Sequence, residues 1–172
     1  LFSRAFSDTR LLSYANRLQQ TLKLPLGATS LPLAESHALN AGVMDRIQVV
    51  VCGAHLEGQP LNWQLRERGG KLIRATQTSS DYRLYALPGG PPARPGLVRD
   101  EQHGEAIEVE LWELSTASFG SFVAGIPAPL GIGKVQLDDQ QWYTGFICEP
   151  YAITNASDIS HLKGWRAYVQ QQ

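Results

Sequence analysis

The sequence predicts an α+β fold in which helices flank a small mixed or antiparallel β-barrel and a helical linker precedes it. Three patterns support this class: helical periodicity near the N-terminus, five or six short strand-like segments after residue 45, and few helical segments among those strands. Barrel closure is expected because it removes exposed sheet edges. With 172 residues, of which 43% are hydrophobic and 18% charged, the chain can bury one sizeable core.

The N-terminal segment is predicted to be a helical linker. Ser7 and Asp8 provide an N-cap for a helix over about residues 8–22, in which apolar residues recur at helical spacing. The members of this stripe are Leu11, Leu12, Ala15, Leu18 and Leu22. The residues that interrupt the stretch after the helix are Pro25, Gly27 and Pro32. We therefore predict a linker over residues 1–44 and a compact domain over residues 45–172.

The segments after residue 45 have the patterns of β-strands. Residues 47–52 are continuous and β-branched, which predicts a central strand buried on both faces. Residues 106–114 alternate apolar side chains with Glu108 and Glu110, which predicts a strand with one face in solvent. Two hairpins are predicted, one from residues 71–78 and 82–87 and one from residues 131–137 and 142–149.

The remaining segments are predicted as a loop and two helices. Residues 89–96 contain three prolines and three glycines, which indicates an irregular loop. Helices are predicted over residues 115–123 and around residues 158–169. Residues 126–133 are rich in proline and glycine, and they form either a stiff apolar loop that shapes a pocket or a surface loop leading into the second hairpin.

Charge and spacing exclude several classes of function. A net charge of −1 and a pI near 6.5 predict that the domain binds neither nucleic acid nor an anionic membrane. Cys52 and Cys148 each lie in an apolar run, which predicts reduced core thiols and a cytoplasmic location. The His, Cys and carboxylate residues do not occur at spacings typical of a metal site. The stretch before Lys134 lacks residues that a phosphate-binding loop requires, so neither a metal nor a cofactor is predicted.

The most informative segment is residues 51–62, where a buried strand runs into a glycine-bracketed loop carrying His55. Catalytic side chains concentrate on such loops, and an imidazole can act as acid or base near neutral pH. The alternative is a loop histidine bonded to nearby backbone. On the strand at residues 82–87, Arg83 and Tyr85 share one face, from which Arg83 binds a carboxylate if that face points inward.

Several phrases resemble the C-terminal domain of allophanate hydrolases, over roughly residues 45–170. They lie at residues 53–65 (Gly-Ala-His-Leu-Glu-Gly-Gln-Pro-Leu-Asn-Trp-Gln-Leu), 82–87, 95–99, 107–114, 122–135 and 145–150. The resemblance implies a γ-glutamyl cyclotransferase-like barrel that works in urea degradation. It also implies that residues 1–44 follow an amidase domain with a Ser-Ser-Lys triad, which this sequence lacks.

The resemblance further implies a reaction, in which N-carboxycarbamate, the amidase product, becomes carbamate and CO₂. His55 is then the general acid, Arg83 and Lys134 bind the two carboxylates, and Asn62, Tyr82 and Tyr85 orient the substrate. The glutamate base of cyclotransferases has no definite counterpart here; the alternatives are Glu108, Glu110, Glu113 and Glu149.

The implied partners are a small dicarboxylate substrate, the amidase domain of the same polypeptide, and a second copy of the chain in a homodimer. A non-catalytic domain that dimerises or supports the amidase domain remains the alternative to an enzyme.

Overall fold

A computed structural model describes residues 8–22 and 46–172. The chain divides into two compact units, Leu1–Met44 and Asp45–Gln172. The first unit contains α1 (Asp8–Leu22), which confirms the predicted helix, while the Ser7 cap and the proline-containing stretch after the helix lie outside the described residues. The apolar side chains of α1 that are more than half exposed are Leu12, Leu18 and Leu22.

The second unit alternates strands with short helices. Its elements in chain order are β1 (Arg46–Val51), α2 (Trp63–Arg66), β2 (Lys71–Gln77), β3 (Tyr82–Ala86), β4 (Pro95–Arg99), β5 (Glu108–Ser115), α3 (Thr116–Val123), β6 (Leu130–Gln136), β7 (Trp142–Cys148), β8 (Ser157–Asp158) and α4 (Trp165–Val169). Short 3₁₀ turns at Pro150–Ile153 and Ser160–Leu162 flank β8.

Five strands form one sheet in the order β2-β5-β1-β7-β6. β1 lies in the middle, antiparallel to β5 and parallel to β7, and its residues Val49, Val50 and Val51 are buried. The prediction of a central buried strand is therefore confirmed. The predicted hairpin over residues 131–149 is also confirmed, because β6 and β7 pair antiparallel.

The two edges of this sheet meet at one end. Thr78, just after β2, forms an isolated antiparallel bridge with Leu137, just after β6. The backbone N–H of Asp138 donates to the Gln77 carbonyl at 3.0 Å across the same junction. The sheet therefore curves back on itself at this end. Its combination with helices confirms the predicted mixed α+β class.

The hairpin predicted from residues 71–78 and 82–87 is wrong. β2 pairs with β5, whereas β3 pairs with β4 and β8 in a separate sheet of order β4-β3-β8. The physical reason lies in the connection: the Thr78 hydroxyl accepts the Ile107 N–H at 3.0 Å, and the Ser79 N–H donates to the Gln136 carbonyl at 3.0 Å. These bonds hold the chain at the end of the first sheet before it enters the second.

Three other sequence predictions need correction. The loop predicted over residues 89–96 ends earlier, because Pro95 begins β4, an edge strand where its missing N–H is tolerated. The predicted solvent-facing position of Glu110 is wrong, since Glu110 is 2% exposed. The helix predicted around residues 158–169 shortens to α4 because Lys163 takes a left-handed conformation with φ of 60°.

The helix predicted over residues 115–123 is confirmed as α3. Ser115 provides its N-cap, with the hydroxyl oxygen accepting the Ser118 N–H at 3.2 Å. Its one fully buried side chain, Phe122, points into the hydrophobic core that β1 and β5 also line. This placement brings an aromatic ring of α3 toward the loop that follows β1.

Candidate functional site

The loop after β1 is folded tightly by its own backbone. The Leu56 N–H donates to the Gly53 carbonyl at 2.9 Å, and the Leu61 N–H donates to the Ala54 carbonyl at 2.8 Å. The side-chain amide of Asn62 donates to the His55 carbonyl at 2.8 Å, and Asn62 is 6% exposed. Buried polar groups that are fully bonded hold a loop in one conformation, so the backbone at His55 is well positioned.

The His55 ring lies between two phenylalanines. It stacks on Phe146 of β7, with centroids 5.2 Å apart and an interplanar angle of 20°, and it meets Phe122 of α3 edge-on at 5.0 Å and 83°. Its Nε2 lies 3.1 Å from Oε1 of Gln64 on α2. The ring thus bonds a side chain rather than the backbone, and three different elements set its orientation.

Burial lowers the pKa of His55 below its usual 6.5, and the hydrogen bond with Gln64 opposes this shift only in part. The imidazole is therefore neutral at neutral pH. When Nε2 carries the proton and donates to Gln64, Nδ1 keeps a free lone pair. The resting ring can accept a proton, and a nearby negative charge is needed to keep it protonated.

The buried carboxylate of Glu110 supports the loop that follows β1. Oε2 of Glu110 accepts the Glu57 N–H at 2.8 Å and the Trp112 indole N–H at 2.9 Å. Oε1 of Glu110 accepts from Arg166 of α4 at 2.6 Å, and the same guanidinium donates to the Glu57 carbonyl at 2.9 Å. Since both oxygens are occupied, Glu110 acts here as a structural anchor for the residues that follow His55.

A small pocket of about 20 Å³ opens beside His55. Its lining residues are Cys52, Gly53, Ala54, His55, Arg94, Pro95, Leu130 and Phe146. Gly53 permits the close approach of the first residue of β4, because a Cβ at this position would lie 2.3 Å from Cδ of Pro95. The pocket is mostly apolar, and its lining includes one imidazole and one guanidinium.

The other residues predicted to bind substrate lie outside the lining of this pocket. The Tyr82 hydroxyl, buried in the core, accepts the Gln136 N–H at 2.8 Å. Arg83 forms ion pairs with Asp158 and Asp100. Tyr85 lies under the Arg83 guanidinium at 5.6 Å, and Lys134 donates to the Thr144 hydroxyl at 3.2 Å on the surface. Asn62 contacts the His55 backbone, as described above.

The two cysteines are unbridged and buried. Burial and the neighbouring Cys148 raise the pKa of the Cys52 thiol to about 12, and burial also raises the pKa of Cys148. A thiol attacks as its thiolate, so Cys52 is a neutral wall of the pocket at neutral pH. In residues 8–22 and 46–172 no three metal-ligating side chains come together, and no helix there is long and apolar enough to cross a membrane.

Sequence reasoning missed four residues of the site. Gln64, Phe122 and Phe146 fall within the phrases that carry the family resemblance, so their positions were marked although their roles were not. Arg94 immediately precedes the phrase at residues 95–99, and no local pattern distinguishes it from other arginines. Only the folded structure makes it part of the site, because Arg94 lines the same pocket as His55.

The fold and this pocket define a small α+β domain with a candidate small-molecule site at the end of its central strand. A profile of the allophanate hydrolase C-terminal domain matches residues 47–170. The chain therefore belongs to the family of allophanate hydrolase C-terminal domains. Urea amidolyase of Saccharomyces cerevisiae is 35% identical over 99% of this chain, which spans only 10% of that protein's length.

Two solved structures extend the comparison. A variant of Kluyveromyces lactis allophanate hydrolase superposes with a TM-score of 0.70 at 35% identity, covering 84% of this chain and 24% of that one. The protein c4763, specific to uropathogenic E. coli, superposes with a TM-score of 0.69 at 30% identity, covering 75% of this chain and 99% of that one. The same fold thus occurs both within long chains and as nearly an entire protein.

Proposed function

We propose that this domain acts in urea degradation by converting N-carboxycarbamate, the product of an amidase domain in the same polypeptide, into carbamate and CO₂. The observation that supports this most directly is the His55 ring, held by Phe122, Phe146 and Gln64 at the wall of a small pocket. Membership of the family of allophanate hydrolase C-terminal domains supports a role in urea degradation, and N-carboxycarbamate is the substrate we propose on that basis.

The chemistry requires one proton. As the bond between nitrogen and one carboxylate carbon breaks, that carboxylate leaves as CO₂ and the bonding electron pair stays on nitrogen. Protonation of this nitrogen gives carbamate, H₂N–COO⁻, and the substrate dianion has then gained one proton and lost one CO₂. A positioned acid typically accelerates such a step by about 10²- to 10⁴-fold, and His55 is the acid in this proposal.

The lowered pKa of His55 fits this role once the substrate's charge is included. In the free protein, burial favours the neutral ring. A dianion placed beside the ring favours the imidazolium, because an opposite charge within about 4–6 Å raises the pKa of a histidine. Substrate binding therefore favours protonation of His55, and the reaction consumes this proton. The flanking phenylalanines exclude water, which strengthens this interaction.

A non-catalytic role is the second candidate, supported by the apolar surface of the domain. Trp63, Trp142 and Tyr151 are each about half exposed or more, and the chain spans a tenth of its curated relative. Exposed aromatic side chains are common at interfaces, so the domain would brace the amidase domain or form a homodimer. Either role fits a cytoplasmic protein, because Cys52 and Cys148 are unbridged.

The two candidates differ in CO₂ release. The 172-residue chain is added to N-carboxycarbamate generated in situ by a separate amidase domain, and CO₂ is followed by stopped flow with a coupled pH indicator. We expect acceleration by the native chain and a loss of about 10²- to 10⁴-fold in the His55→Asn variant. His161→Asn, at an exposed position, is the matched control and should retain full activity.

Circular dichroism and urea unfolding verify that both variants are folded. If the native chain, His55→Asn and His161→Asn all release CO₂ at the uncatalysed rate, the enzymatic proposal fails and the supporting role remains. If His55→Asn retains native activity while the native chain accelerates the reaction, another group is the acid.

A further inference from the structure

Arg94 is the cation of the His55 pocket. It lies directly before Pro95, whose ring packs at Gly53, and this contact holds the Arg94 backbone next to the His55 loop. None of the residues that line this pocket is acidic. The positive charge of Arg94 is therefore not neutralised by any carboxylate in the pocket lining.

Arg94 differs in this from the other arginines of residues 46–172. The remaining arginines of that range all form ion pairs with carboxylates: Arg46, Arg66, Arg68, Arg74, Arg83, Arg99 and Arg166. No ion pair or side-chain hydrogen bond of Arg94 exists within the described part of the chain. Arg83 and the exposed Lys134, the cations predicted from the sequence, already have protein partners.

We infer that Arg94 is the carboxylate-binding residue of the His55 pocket and selects small carboxylate-bearing ligands, an inference that rests on the proposed function for the identity of the substrate. A planar guanidinium donates two parallel N–H bonds to a carboxylate, so it both binds and orients one. The pocket walls of Leu130 and Phe146 are apolar. They favour a compact ligand whose charge is met by Arg94.

Charge also decides which carboxylate Arg94 holds. Interactions that stabilise the substrate more than the transition state slow the reaction. A carboxylate that departs as CO₂ loses its charge, so pairing it with Arg94 would favour the ground state. The carboxylate retained in carbamate keeps its charge throughout. Arg94 therefore holds the retained carboxylate, and the departing one lies toward the apolar wall.

Binding of malonate tests this inference without any turnover. Malonate is a stable dicarboxylate with the same number of carboxylates as N-carboxycarbamate, and its affinity for the 172-residue chain is measured by isothermal titration calorimetry. We expect Arg94→Gln to weaken binding by about 10- to 100-fold, the effect of losing charge-assisted hydrogen bonds. The affinity of Arg94→Lys for malonate should lie between those of the native chain and Arg94→Gln, since lysine keeps the positive charge but lacks the planar guanidinium.

Arg74→Gln is the matched control, because Arg74 lies outside the pocket lining and its exposed ion pair contributes little to stability. This variant should bind malonate like the native chain. In the CO₂ assay, Arg94→Gln should raise KM by at least about tenfold.

The outcomes separate the inference from the proposed function. If the native chain does not accelerate CO₂ release but binds malonate through Arg94, the proposed reaction fails and the carboxylate site stands. If CO₂ release is accelerated and Arg94→Gln has native KM and native malonate affinity, the Arg94 inference is overturned while the reaction stands. Failure of the native chain to bind malonate also overturns the inference.

Discussion

The pKa of His55 is set by two opposing interactions. Burial against Phe122 and Phe146 disfavours the imidazolium, while the hydrogen bond with Gln64 favours it, and burial is the larger effect. The folded protein therefore holds this proton less tightly than the unfolded chain does. Protonation of His55 and unfolding are coupled as a consequence.

Stability should fall as the pH drops below about 6.5, the pKa of an unperturbed histidine. Above that pH His55 is neutral in both the folded and the unfolded state, and its contribution to the free energy of unfolding is constant. Between 6.5 and the lower folded-state pKa the unfolded chain binds more protons, so the free energy of unfolding decreases. Urea unfolding between pH 7.5 and pH 5 measures this slope, and His55→Gln should flatten it.

His161→Gln is the control for that experiment because its side chain is exposed, and it should keep the native slope. The lowered pKa values of Asp100 and Asp139 act below pH 4, where those carboxyls protonate, so they do not interfere. A native protein whose stability is flat over this window would contradict the burial of a neutral His55.

At the scale of elements, α4 is tied to β5 and to the loop after β1. Arg166 of α4 pairs with Glu108 and Glu110 of β5 and also bonds the Glu57 carbonyl. Glu110 in turn accepts the Glu57 N–H. The C-terminal helix therefore contributes to the geometry of a loop far away in the sequence, although α4 is only five residues long.

Replacing Arg166 with Met should destabilise the domain by about 3 kcal/mol, because it leaves the buried Glu110 charge without its partner. The value lies at the low end for a broken buried pair since the Arg166 side chain is 29% exposed. Urea unfolding measures the loss. In a Glu110→Gln background the same substitution should cost clearly less, because no carboxylate remains to be neutralised.

Equal costs of Arg166→Met in the two backgrounds would show that Arg166 stabilises the domain through its packing rather than its charge. The Glu110→Gln variant is informative in its own right, because the amide oxygen can still accept from Glu57 and Trp112. The two substitutions together therefore separate the ion pair from the hydrogen bonds that support the loop.

At the scale of the whole molecule, the two cysteines report on the core of the five-stranded sheet. Cys52 follows β1 and Cys148 ends β7, and these strands are parallel neighbours inside the five-stranded sheet. Both thiols are buried and both have raised pKa values. Central strands open only when the whole domain unfolds.

Alkylation of the thiols by iodoacetamide at pH 8 should therefore follow global unfolding. With a pKa of about 12 the Cys52 thiol is almost entirely protonated at this pH, and it is also shielded from solvent. Mass spectrometry should show both cysteines unmodified in native protein and modified together across the urea unfolding transition. Modification of Cys52 in native protein at the rate of a free thiol would contradict this.

Local patterns of the sequence determined the fold class, the helix α1, the central strand β1, the hairpin of β6 with β7, and the place of His55 at the end of a buried strand. These features depend on periodicity and on residues close together in the chain, which a sequence displays directly. The family resemblance pointed to the same segment, since His55, Asn62 and Gln64 lie in one continuous phrase.

Only the tertiary structure decided the pairing of β2 with β5, the burial of Glu110, and the approach of Arg94 to His55. The polar link after β2 looks like a hairpin turn, and Glu110 alternates with apolar neighbours like any solvent-facing residue. The path of the chain after β2 and the burial of Glu110 depend on partners from distant segments, such as Ile107, Gln136 and Arg166. Spacing along the chain carries no information about which distant groups meet, because packing and charge neutralisation choose them in the folded state.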